Sequence, residues 1–560
     1  MFILLPFFLL HFKSSQFFLT HDGRFHMERT FYEVMSLREG DVPPTWSRFY
    51  NNGLGSPILL FLFPIPYFVS SLFFAIGFNL VSALKLSFFF FQCLMVLSLF
   101  FWLRKGMNYS KAASLFGSLI ALYAPYHFVQ VFVRGALREF ASAAIFPLVL
   151  LSLSNLEKHD QKKYVGQTAI MIGIFLLTDG ITAAIFSVPM ILYSFWLFYS
   201  SKKRKSFVIS FGLALFLGLC IASYIYLPLL VERQYLKETT ANLFQDHFVY
   251  WWQFFDPHWG FGFSLPGAKD GMSFQVGVLN DIAIAIFFFL LAVKKIKKST
   301  LTIGFSFILV LSFLLMVQSP FIFHIWERAP FLKEIQLPWR LLSPVVFISA
   351  FFAASIILSL KFSRTQLIIA AIMVIASSIK YLRTNNIALY DQSYLLSNSS
   401  DATAWHEFIP KWRDTTSHVE GFLEKVEIAS GEGNIQNLTI KNSRISFNVM
   451  TEQGASMRVN TFYFPGWEAF IDQKKVPIVI TLNAMKPYNS EDKRDLSGLM
   501  QITVPEGAHN VSFQFTDTPI RKIGKIISLL ELSGSLALLV WRCRGLTSSP
   551  DNFLISRVHA

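Results

Sequence analysis

Long apolar segments separated by short polar loops dominate the first 380 residues of this chain. A helix needs about 20 predominantly apolar residues to cross a bilayer, and many of these segments approach that length. The pattern therefore predicts a mainly α, polytopic membrane protein with about twelve to thirteen transmembrane segments. The clearest segments run approximately from 82 to 103, 112 to 130, 141 to 156, 165 to 178, 181 to 199, 206 to 229, 276 to 293, 300 to 318, 341 to 360, 366 to 380 and 523 to 541.

Two N-terminal segments depart from this regular pattern. Met1–Leu19 is mostly apolar but is interrupted by His11 and Lys13, and neither a basic leader nor a small-residue cleavage site marks it as a signal peptide. We therefore expect an uncleaved first helix. Residues 57–79 are long enough to span, but Pro57, Pro64 and Pro66 interrupt the helical pattern. A re-entrant or interfacial segment is the prediction here, since broken helices are tolerated where protein or water satisfies the backbone.

The character of the chain changes between about 385 and 520. Short runs such as Arg444-Ile-Ser-Phe-Asn-Val alternate polar and apolar residues, and turn sequences such as Phe464-Pro-Gly-Trp recur. This alternation predicts a small antiparallel β domain of sandwich-like form, followed by one last membrane helix that tethers it. The expected domains are a transmembrane domain (1–380, with a first outer loop at 20–56), a β-rich domain (381–522) and a final helix with a cytoplasmic tail (523–560).

Composition and charge support a membrane location and indicate an orientation. The chain is 53% hydrophobic and 15% charged, whereas soluble domains carry about 25% charged residues. Its net charge of +14 comes from short basic clusters, for example at 202–205 and 294–298, that recur in every second loop. Such clusters mark cytoplasmic loops, so no nucleic-acid partner is expected. We predict an inner-membrane protein whose β domain is extracytoplasmic.

A polar run directly after the first apolar segment is the densest candidate site. It reads His21-Asp22-Gly-Arg-Phe-His26. A carboxylate at the mouth of a membrane cavity can act as a general base on a hydroxyl, so Asp22 is the candidate catalytic residue. His21 and His26 are candidates for substrate binding. The alternative is an ordinary solvated loop at the membrane surface.

A second group of charged residues lies at an expected outer turn between two helices. Arg134 and Arg138 could clamp a phosphate, and Glu139 could hold the clamp in place. Alternatively, both arginines only extend their charged ends to the membrane surface, and Glu139 is an exposed ion partner.

Two further charged residues stand where outer loops meet apolar helices. Asp179 lies in a very short loop, and an acid near bilayer depth is a functional candidate, although a simple Asp-Gly turn explains it equally well. Arg340 precedes a helix beside Trp339 and could reach a lipid-linked phosphate. The alternative is that Arg340 only extends its charged end to the membrane surface and that Trp339 belongs to the interfacial aromatic belt. The loop 230–275, rich in tryptophan, could form an aromatic lid over a sugar, and interface packing is the alternative.

Familiar soluble-enzyme motifs are missing from the sequence. It contains no glycine-rich phosphate loop, no HExxH motif and no zinc-spaced set of cysteines and histidines. The three cysteines lie in or beside apolar segments and predict neither a disulfide framework nor a metal site. Soluble-enzyme chemistry is therefore not indicated.

Several motifs resemble those of a known family. The runs around Asp22, Asn52-Gly-Leu-Gly-Ser-Pro57 and Pro64-Ile-Pro-Tyr67, with Ala124-Pro-Tyr126 and Pro338-Trp-Arg340, resemble bacterial multi-pass proteins labelled "6-pyruvoyl-tetrahydropterin synthase-related". The β region, with Tyr463-Phe-Pro-Gly-Trp467, is similar to the outer domain of YfhO-type membrane proteins. Both groups resemble the GT-C glycosyltransferases. The histidine pattern of the zinc-dependent pterin enzyme in the label is not visible, so that activity is set aside.

The resemblance implies a GT-C-like helix bundle and a transferase that moves a sugar from a polyprenyl-phosphate donor to an envelope glycan or lipid acceptor. Asp22 matches the acid that activates the acceptor hydroxyl, and Arg134, Glu139 and Arg340 would line the donor-phosphate side. Asp179 departs from the pattern, because many members place a histidine there. No cofactor is certain, and a divalent metal ion stays open. A transporter or flippase of lipid-linked sugars and a non-catalytic envelope-assembly protein are the rival interpretations.

Overall fold

The computed structural model describes residues 17–159, 162–237, 243–388, 407–414, 424–482 and 495–540, and most of them are helical. Six described helices are long and apolar enough to cross a membrane. A seventh span results if the helices Lys111–Leu122 and Pro125–Arg134, bent by 49°, form one crossing. The six are Leu80–Gly106, Leu137–Lys158, Gly180–Ser200, Arg204–Tyr235, Pro338–Leu360 and Arg364–Leu382.

Shorter helices complete the bundle and its surface. Three of them are apolar helices that are shorter than a membrane span. In the described part of the chain, each apolar segment expected from sequence between 82 and 541 contains a helix. The polytopic α architecture is thereby confirmed, while the total of twelve to thirteen crossings stays a prediction. The other helices are Gly23–Arg38, Ile58–Phe61, Ile65–Ala75, Lys162–Leu176, Val278–Ala292, Thr300–Met316, Pro320–Arg328, Pro330–Lys333 and Pro519–Val540.

The bundle is built around one central helix. In Pro338–Leu360, 94% of the most apolar stretch is buried, whereas the figure for Arg364–Leu382 is 17%, which places the latter at the periphery. Gly117 lets its helix approach the central one closely, since a Cβ there would lie 2.9 Å from the Ala350 carbonyl oxygen. The exposed apolar faces of the peripheral helices are suited to contact with lipid.

The proline-containing segment after the N-terminal loop is broken. Two helices, Ile58–Phe61 and Ile65–Ala75, are separated by an extended residue, Leu62, and the second begins after Pro64. The Ile65 amide donates to the Leu177 carbonyl, 3.3 Å away, and not to a residue of the first helix. The break matches the proline pattern, and the re-entrant or interfacial placement of this segment stays a prediction.

The expected first helix, Met1–Leu19, lies mostly outside the described residues. Its last part is not helical, which corrects the expectation there. Phe17–Phe18 form a short strand that pairs antiparallel with Ile387–Ala388. Backbone pairing with a distant segment replaces the helical hydrogen bonds at these two residues.

The expected β-rich region is confirmed as one antiparallel sheet of seven strands, a half-barrel. One sheet can close its core without a second sheet because the N-terminal loop (residues 20–56) and the helix after it supply the opposing layer. Trp46, Leu54, Leu60 and Phe61 belong to the same buried cluster as the inward-facing strand residues. The strands are Val426–Ile440, Arg444–Phe462, Trp467–Ile471, Lys474–Val476, Val479–Ile480, Leu499–Val504 and Gly507–Phe515.

The helix Pro519–Val540 connects this sheet to the bundle. Arg521, at its start, is 1% exposed. It pairs with Glu232 near the end of the helix Arg204–Tyr235, with 2.8 Å between Nη2 and Oε2. The Arg521 guanidinium also donates to the carbonyl of Pro465 in the sheet region. One buried arginine thus links the sheet, the last helix and the bundle.

Candidate functional site

A cavity of about 1300 Å³ opens between the helical bundle, the N-terminal loop and the segment before the sheet. Its wall contains the candidate catalytic residue and all seven candidate binding residues proposed from the sequence. A sugar with a phosphate fits comfortably in such a volume, since ligand pockets commonly measure about 300–1,000 Å³. The eight residues are His21, Asp22, His26, Arg134, Arg138, Glu139, Asp179 and Arg340.

Asp22 lies directly before the first turn of the helix Gly23–Arg38, and its side chain forms no capping hydrogen bond there. Its amide donates to the Arg134 carbonyl, 2.8 Å away, so the backbone holds the acid beside the arginine turn. Gly135 makes this approach feasible, because its φ is +66° and a Cβ would lie 2.5 Å from Thr20 Oγ1. The carboxylate is therefore positioned by its backbone and lines the cavity.

His21 is covered by a glycine-rich flap (residues 260–271). Its ring stacks on Phe263 at 4.3 Å between centroids, and Nε2 lies 3.3 Å from the Phe261 carbonyl oxygen. Burial lowers the pKa of the His21 imidazole below its ordinary value, and the nearby Asp22 charge offsets this only in part. His21 is thus a neutral, stacked ring at neutral pH.

His26 lies one helical turn after Asp22 and is held by Tyr67 of the broken segment. His26 Nδ1 is 2.8 Å from the Tyr67 hydroxyl, to which Arg29 Nη1 also donates at 3.1 Å. The Tyr67 hydroxyl thus accepts from Arg29 and forms a hydrogen bond with His26 Nδ1, which holds the imidazole in place. Burial, followed by the charges of Arg29 and two other arginines, lowers the pKa of His26 well below its ordinary value.

Glu139 is the centre of a buried polar network. Arg134 Nη1 donates to its Oε2 at 2.6 Å, and three neutral side chains donate to Oε1. These are the Tyr126 hydroxyl at 2.8 Å, the Gln130 amide at 2.9 Å and the Ser343 hydroxyl at 3.0 Å. Arg134 and Glu139 are only 4% and 6% exposed. The alternative interpretation, in which Arg134 extends to the membrane surface and Glu139 is an exposed ion partner, therefore does not fit.

Arg340 approaches the same carboxylate from the other side. Its Nε is 3.9 Å from Glu139 Oε2, while Nη1 donates to the Ile335 carbonyl and to the Gln336 side chain. The neighbouring Trp339 ring lies under the Arg134 guanidinium, 4.4 Å from the ring centroid. Trp339 therefore stacks on a site arginine inside the protein, in contrast to the membrane-belt role considered from sequence.

Arg138 and Arg134 do not form one clamp on a continuous helix. The left-handed Gly135 separates them, so Arg134 ends one helical segment and Arg138 begins the next. Arg138 faces Asp179, with 3.8 Å between Nε and Oδ1. Asp179 also caps the helix Gly180–Ser200 by accepting from the Thr182 amide and hydroxyl. Asp179 thus caps a helix and also lies on the cavity wall.

Sequence reasoning missed several residues around the site. Gln130 and Ser343 carried a usable signal, because each is a polar residue within an apolar segment. Glu407 and Phe408 carried none, and they enter the cavity wall from the segment before the sheet. Phe263 stacks on His21 at the cavity wall, whereas Trp251 is absent from the described wall. An aromatic lid over a sugar stays a prediction.

Metal-binding residues are not clustered in the part of the chain that the structure describes. No group of three or more histidine, cysteine, aspartate or glutamate side chains there could hold an ion. The carboxylates of the cavity face arginines instead, as Glu139 and Asp179 illustrate.

Comparison with known proteins identifies one family. A family model described as "6-pyruvoyl-tetrahydropterin synthase related domain; membrane protein" matches residues 59–387. No curated protein matches the chain. The matched region contains the arginine network and the flap, whereas Asp22 and His26 precede it and Glu407 follows it.

Proposed function

This chain belongs to the membrane-protein family described as 6-pyruvoyl-tetrahydropterin synthase related, and we propose that it is an integral-membrane glycosyltransferase. It moves a sugar from a polyprenyl-phosphate donor to a cell-envelope glycan or lipid acceptor. One observation carries the proposal: a single large cavity brings the Asp22 carboxylate together with Arg138 and Arg340 at the edge of the membrane helices.

In the proposed reaction, Asp22 takes the proton of an acceptor hydroxyl. The hydroxyl oxygen then attacks the anomeric carbon, and the bond between that carbon and the phosphate oxygen breaks. The electron pair of the broken bond stays on the lipid phosphate, so negative charge develops there. Arginines already in place stabilise such charge without reorganisation during the reaction.

Arg138 and Arg340 are the arginines best suited to the phosphate. Their separations from the nearest carboxylates are 3.8 and 3.9 Å, beyond hydrogen-bond length, whereas Arg134 is bound to Glu139 at 2.6 Å. Their side chains are 30% and 17% exposed, compared with 5% for Arg134. A phosphate can therefore engage Arg138 and Arg340 while the Arg134–Glu139 pair stays intact.

Residues near the cavity mouth fit a substrate with a lipid chain. Leu230 is 77% exposed and Phe331 is 72% exposed, and both line the cavity. The proposal also includes an orientation: the cavity, the N-terminal loop and the sheet lie on the non-cytoplasmic side of the inner membrane, as the basic loops predict. The domains are proposed as 1–380, 381–522 and 523–560.

The decisive variant is Asp22→Asn, measured as transfer of a labelled sugar from polyprenyl phosphate in isolated membranes. We expect at least about a 100-fold lower rate, the usual contribution of a general base. Asp256→Asn is the matched control, because Asp256 is an exposed acid that accepts from the His258 amide in the long loop.

Full transfer by the Asp22→Asn variant would exclude Asp22 as the base. A parallel assay follows movement of the donor lipid across reconstituted vesicles. Movement without any transfer by the unmodified protein would instead identify a flippase and overturn the transferase assignment.

A further inference from the structure

The tip of the first sheet hairpin (residues 441–443) reaches the end of the helix that starts after Asp22. Asn442 at this tip is 1% exposed and forms hydrogen bonds with the N-terminal loop. We propose that Asn442 is a positioning residue. It fixes the far end of the helix Gly23–Arg38 and thereby sets where the Asp22 carboxylate stands in the cavity.

Both the nitrogen and the oxygen of the Asn442 side-chain amide form hydrogen bonds. Nδ2 donates to Ser36 Oγ at 2.9 Å, to Asp41 Oδ2 at 3.0 Å and to the Trp46 carbonyl. Oδ1 accepts from the Arg48 amide at 3.0 Å. An aspartate of the same length would lose the donors and place a second carboxylate against Asp41, so the position requires an amide.

Backbone and neighbouring side chains reinforce this contact. The backbone amide of Asn442 donates to the Glu39 carboxylate, and Glu39 is the C-terminal capping residue of the helix. Ser443 Oγ donates to Asp41 Oδ1 at 2.7 Å, and Arg48 Nη1 donates to the Ile440 carbonyl at 2.8 Å. The hairpin tip is thus joined to the helix end by hydrogen bonds with defined directions.

The two ends of the helix are held by different parts of the protein. Asp22 and His26 are bound to the bundle at the start, whereas Ser36 and Glu39 are bound to the sheet at the end. Sixteen residues separate these anchors by about 24 Å of helix. Between them, Met27, Phe31 and Tyr32 are buried in the apolar core, so packing also holds the helix. Asn442 supplies directional hydrogen bonds at the sheet end and so contributes to the tilt of the helix.

Tilt matters because a displacement of about 1 Å at a reacting group can cost about 100-fold in rate. The catalytic consequence of Asn442 rests on the proposed transferase function. Its effect on helix position does not, so the two are measured separately.

The first experiment reads helix position without any reaction. In a cysteine-free full-length protein, Phe25→Cys places a thiol on this helix at the cavity wall, and a membrane-impermeant maleimide measures its exposure. We expect Asn442→Ala to raise the labelling rate about fivefold or more, as the loss of one hydrogen bond in an opening equilibrium predicts.

Asn448→Ala is the matched control for this experiment. Asn448 lies on the strand that follows the hairpin tip, is exposed and bonds only to Asn510 among the contacts described for its side chain. We expect labelling in this variant to equal that of the parent. Equal labelling rates for the 442 and 448 variants would overturn the inference.

A second test exchanges the amide of Asn442 and the carboxylate of Asp41 and asks whether the exchange restores the contact. Asn442→Asp places two carboxylates together and should raise labelling further, whereas the double variant Asn442→Asp with Asp41→Asn restores a donor and acceptor across the same contact. We expect labelling to return toward the parent rate in the double variant. This test remains available if Asn442→Ala does not fold. Labelling of the double variant as fast as that of Asn442→Asp alone would contradict the inference.

The third readout is sugar transfer. A misplaced base with unchanged arginines should lower kcat while leaving KM for the donor within about twofold. If Asp22→Asn keeps full transfer but labelling responds as expected, the proposed function fails and the positioning role stands. If Asp22→Asn is inactive but labelling does not respond, the positioning role fails alone.

Discussion

The Arg134 guanidinium and the Glu139 carboxylate form a buried ion pair, with 2.6 Å between Nη1 and Oε2. Glu139 is also the nearest carboxylate to Arg340, at 3.9 Å, so one acid lies beside two cations on the cavity wall. Such a residue stabilises the site, whereas the proton transfer is proposed for Asp22.

Glu139→Gln should therefore destabilise the protein strongly. Removing one partner leaves a buried charge without compensation, which costs about 3–5 kcal/mol. A large drop in thermal unfolding temperature in detergent is the expected result. Glu334→Gln is the control, since Glu334 and its partner Arg233 are 64% and 49% exposed. Equal stability of the two variants would contradict the structural role of Glu139.

Trp46 should contribute to stability as a core residue of the sheet. It is fully buried, and its ring contacts Trp467 at 5.3 Å and Phe515 at 5.0 Å between centroids. Trp46→Ala should cost about 3–5 kcal/mol in denaturant unfolding, as for other large buried side chains. Trp252→Ala, at a residue that is 43% exposed, should change the unfolding midpoint little. A small effect at Trp46 would show that the loop does not complete the sheet core.

The flap over His21 should depend on its glycines. A Cβ at Gly260 would lie 2.3 Å from the Gly271 carbonyl oxygen, a backbone atom that cannot move without opening the flap. We expect Gly260→Ala to accelerate hydrogen exchange in residues 260–271 and to loosen the contact between His21 and Phe263. Gly534→Ala, with nothing within 4 Å of its added Cβ, is the control. Unchanged exchange in the flap would rule out this dependence.

Lys425 should make stability depend on pH. Burial, followed by the charge of Arg48, lowers the pKa of the Lys425 ammonium to about 7 in the folded protein, against about 10.4 in an unfolded chain. Between these two values the unfolded state binds more protons, so the free energy of unfolding rises with pH across that window. Below about pH 7 both states carry the proton and this dependence ends.

Unfolding midpoints measured at pH 7 and pH 9.5 test this prediction. Lys425→Met should flatten the rise, because the titrating group is gone. Lys475→Met is the control, since Lys475 is 63% exposed and pairs with Glu468 at the surface. Retention of the full rise in the Lys425 variant would mean that another group is responsible.

The proposed orientation is tested by labelling from outside intact cells. In a cysteine-free background, single cysteines at Trp251 and Met450, both exposed, should react with an impermeant maleimide. A cysteine at the exposed Lys298, in a basic loop, should react only after the membrane is opened. If the cysteines introduced at positions 450 and 298 were labelled from the same side, the proposed position of Asp22 at the outer face would be contradicted.

The helical bundle was predictable because bilayer-spanning segments are encoded locally. About twenty predominantly apolar residues in a row identify a helix without knowledge of its neighbours, and the six long helices between Leu80 and Leu382 follow that rule. Site residues such as Asp22 and Arg340 were also visible, because charged residues beside apolar segments are costly unless they have a role.

Contacts between distant segments were not predictable from local pattern. Nothing around Trp46 indicates that it completes a sheet formed some 400 residues later, and the sandwich-like expectation assumed that a second sheet would be needed. Likewise, Glu407 enters the cavity only because the chain returns to the bundle before the sheet begins. Such pairings depend on the whole fold.

The contact between Trp46 and the sheet sets an order for biogenesis. Asn442 lies 396 residues after Trp46, so the N-terminal loop reaches its final place only after the chain has been synthesised beyond residue 442. At about 5–20 residues per second, the ribosome needs roughly 20–80 s to bridge that interval. Nascent copies therefore lack the hydrogen bond between Asn442 and the Trp46 carbonyl, and with it the attachment of the N-terminal loop to the sheet, until the sheet hairpin has been made.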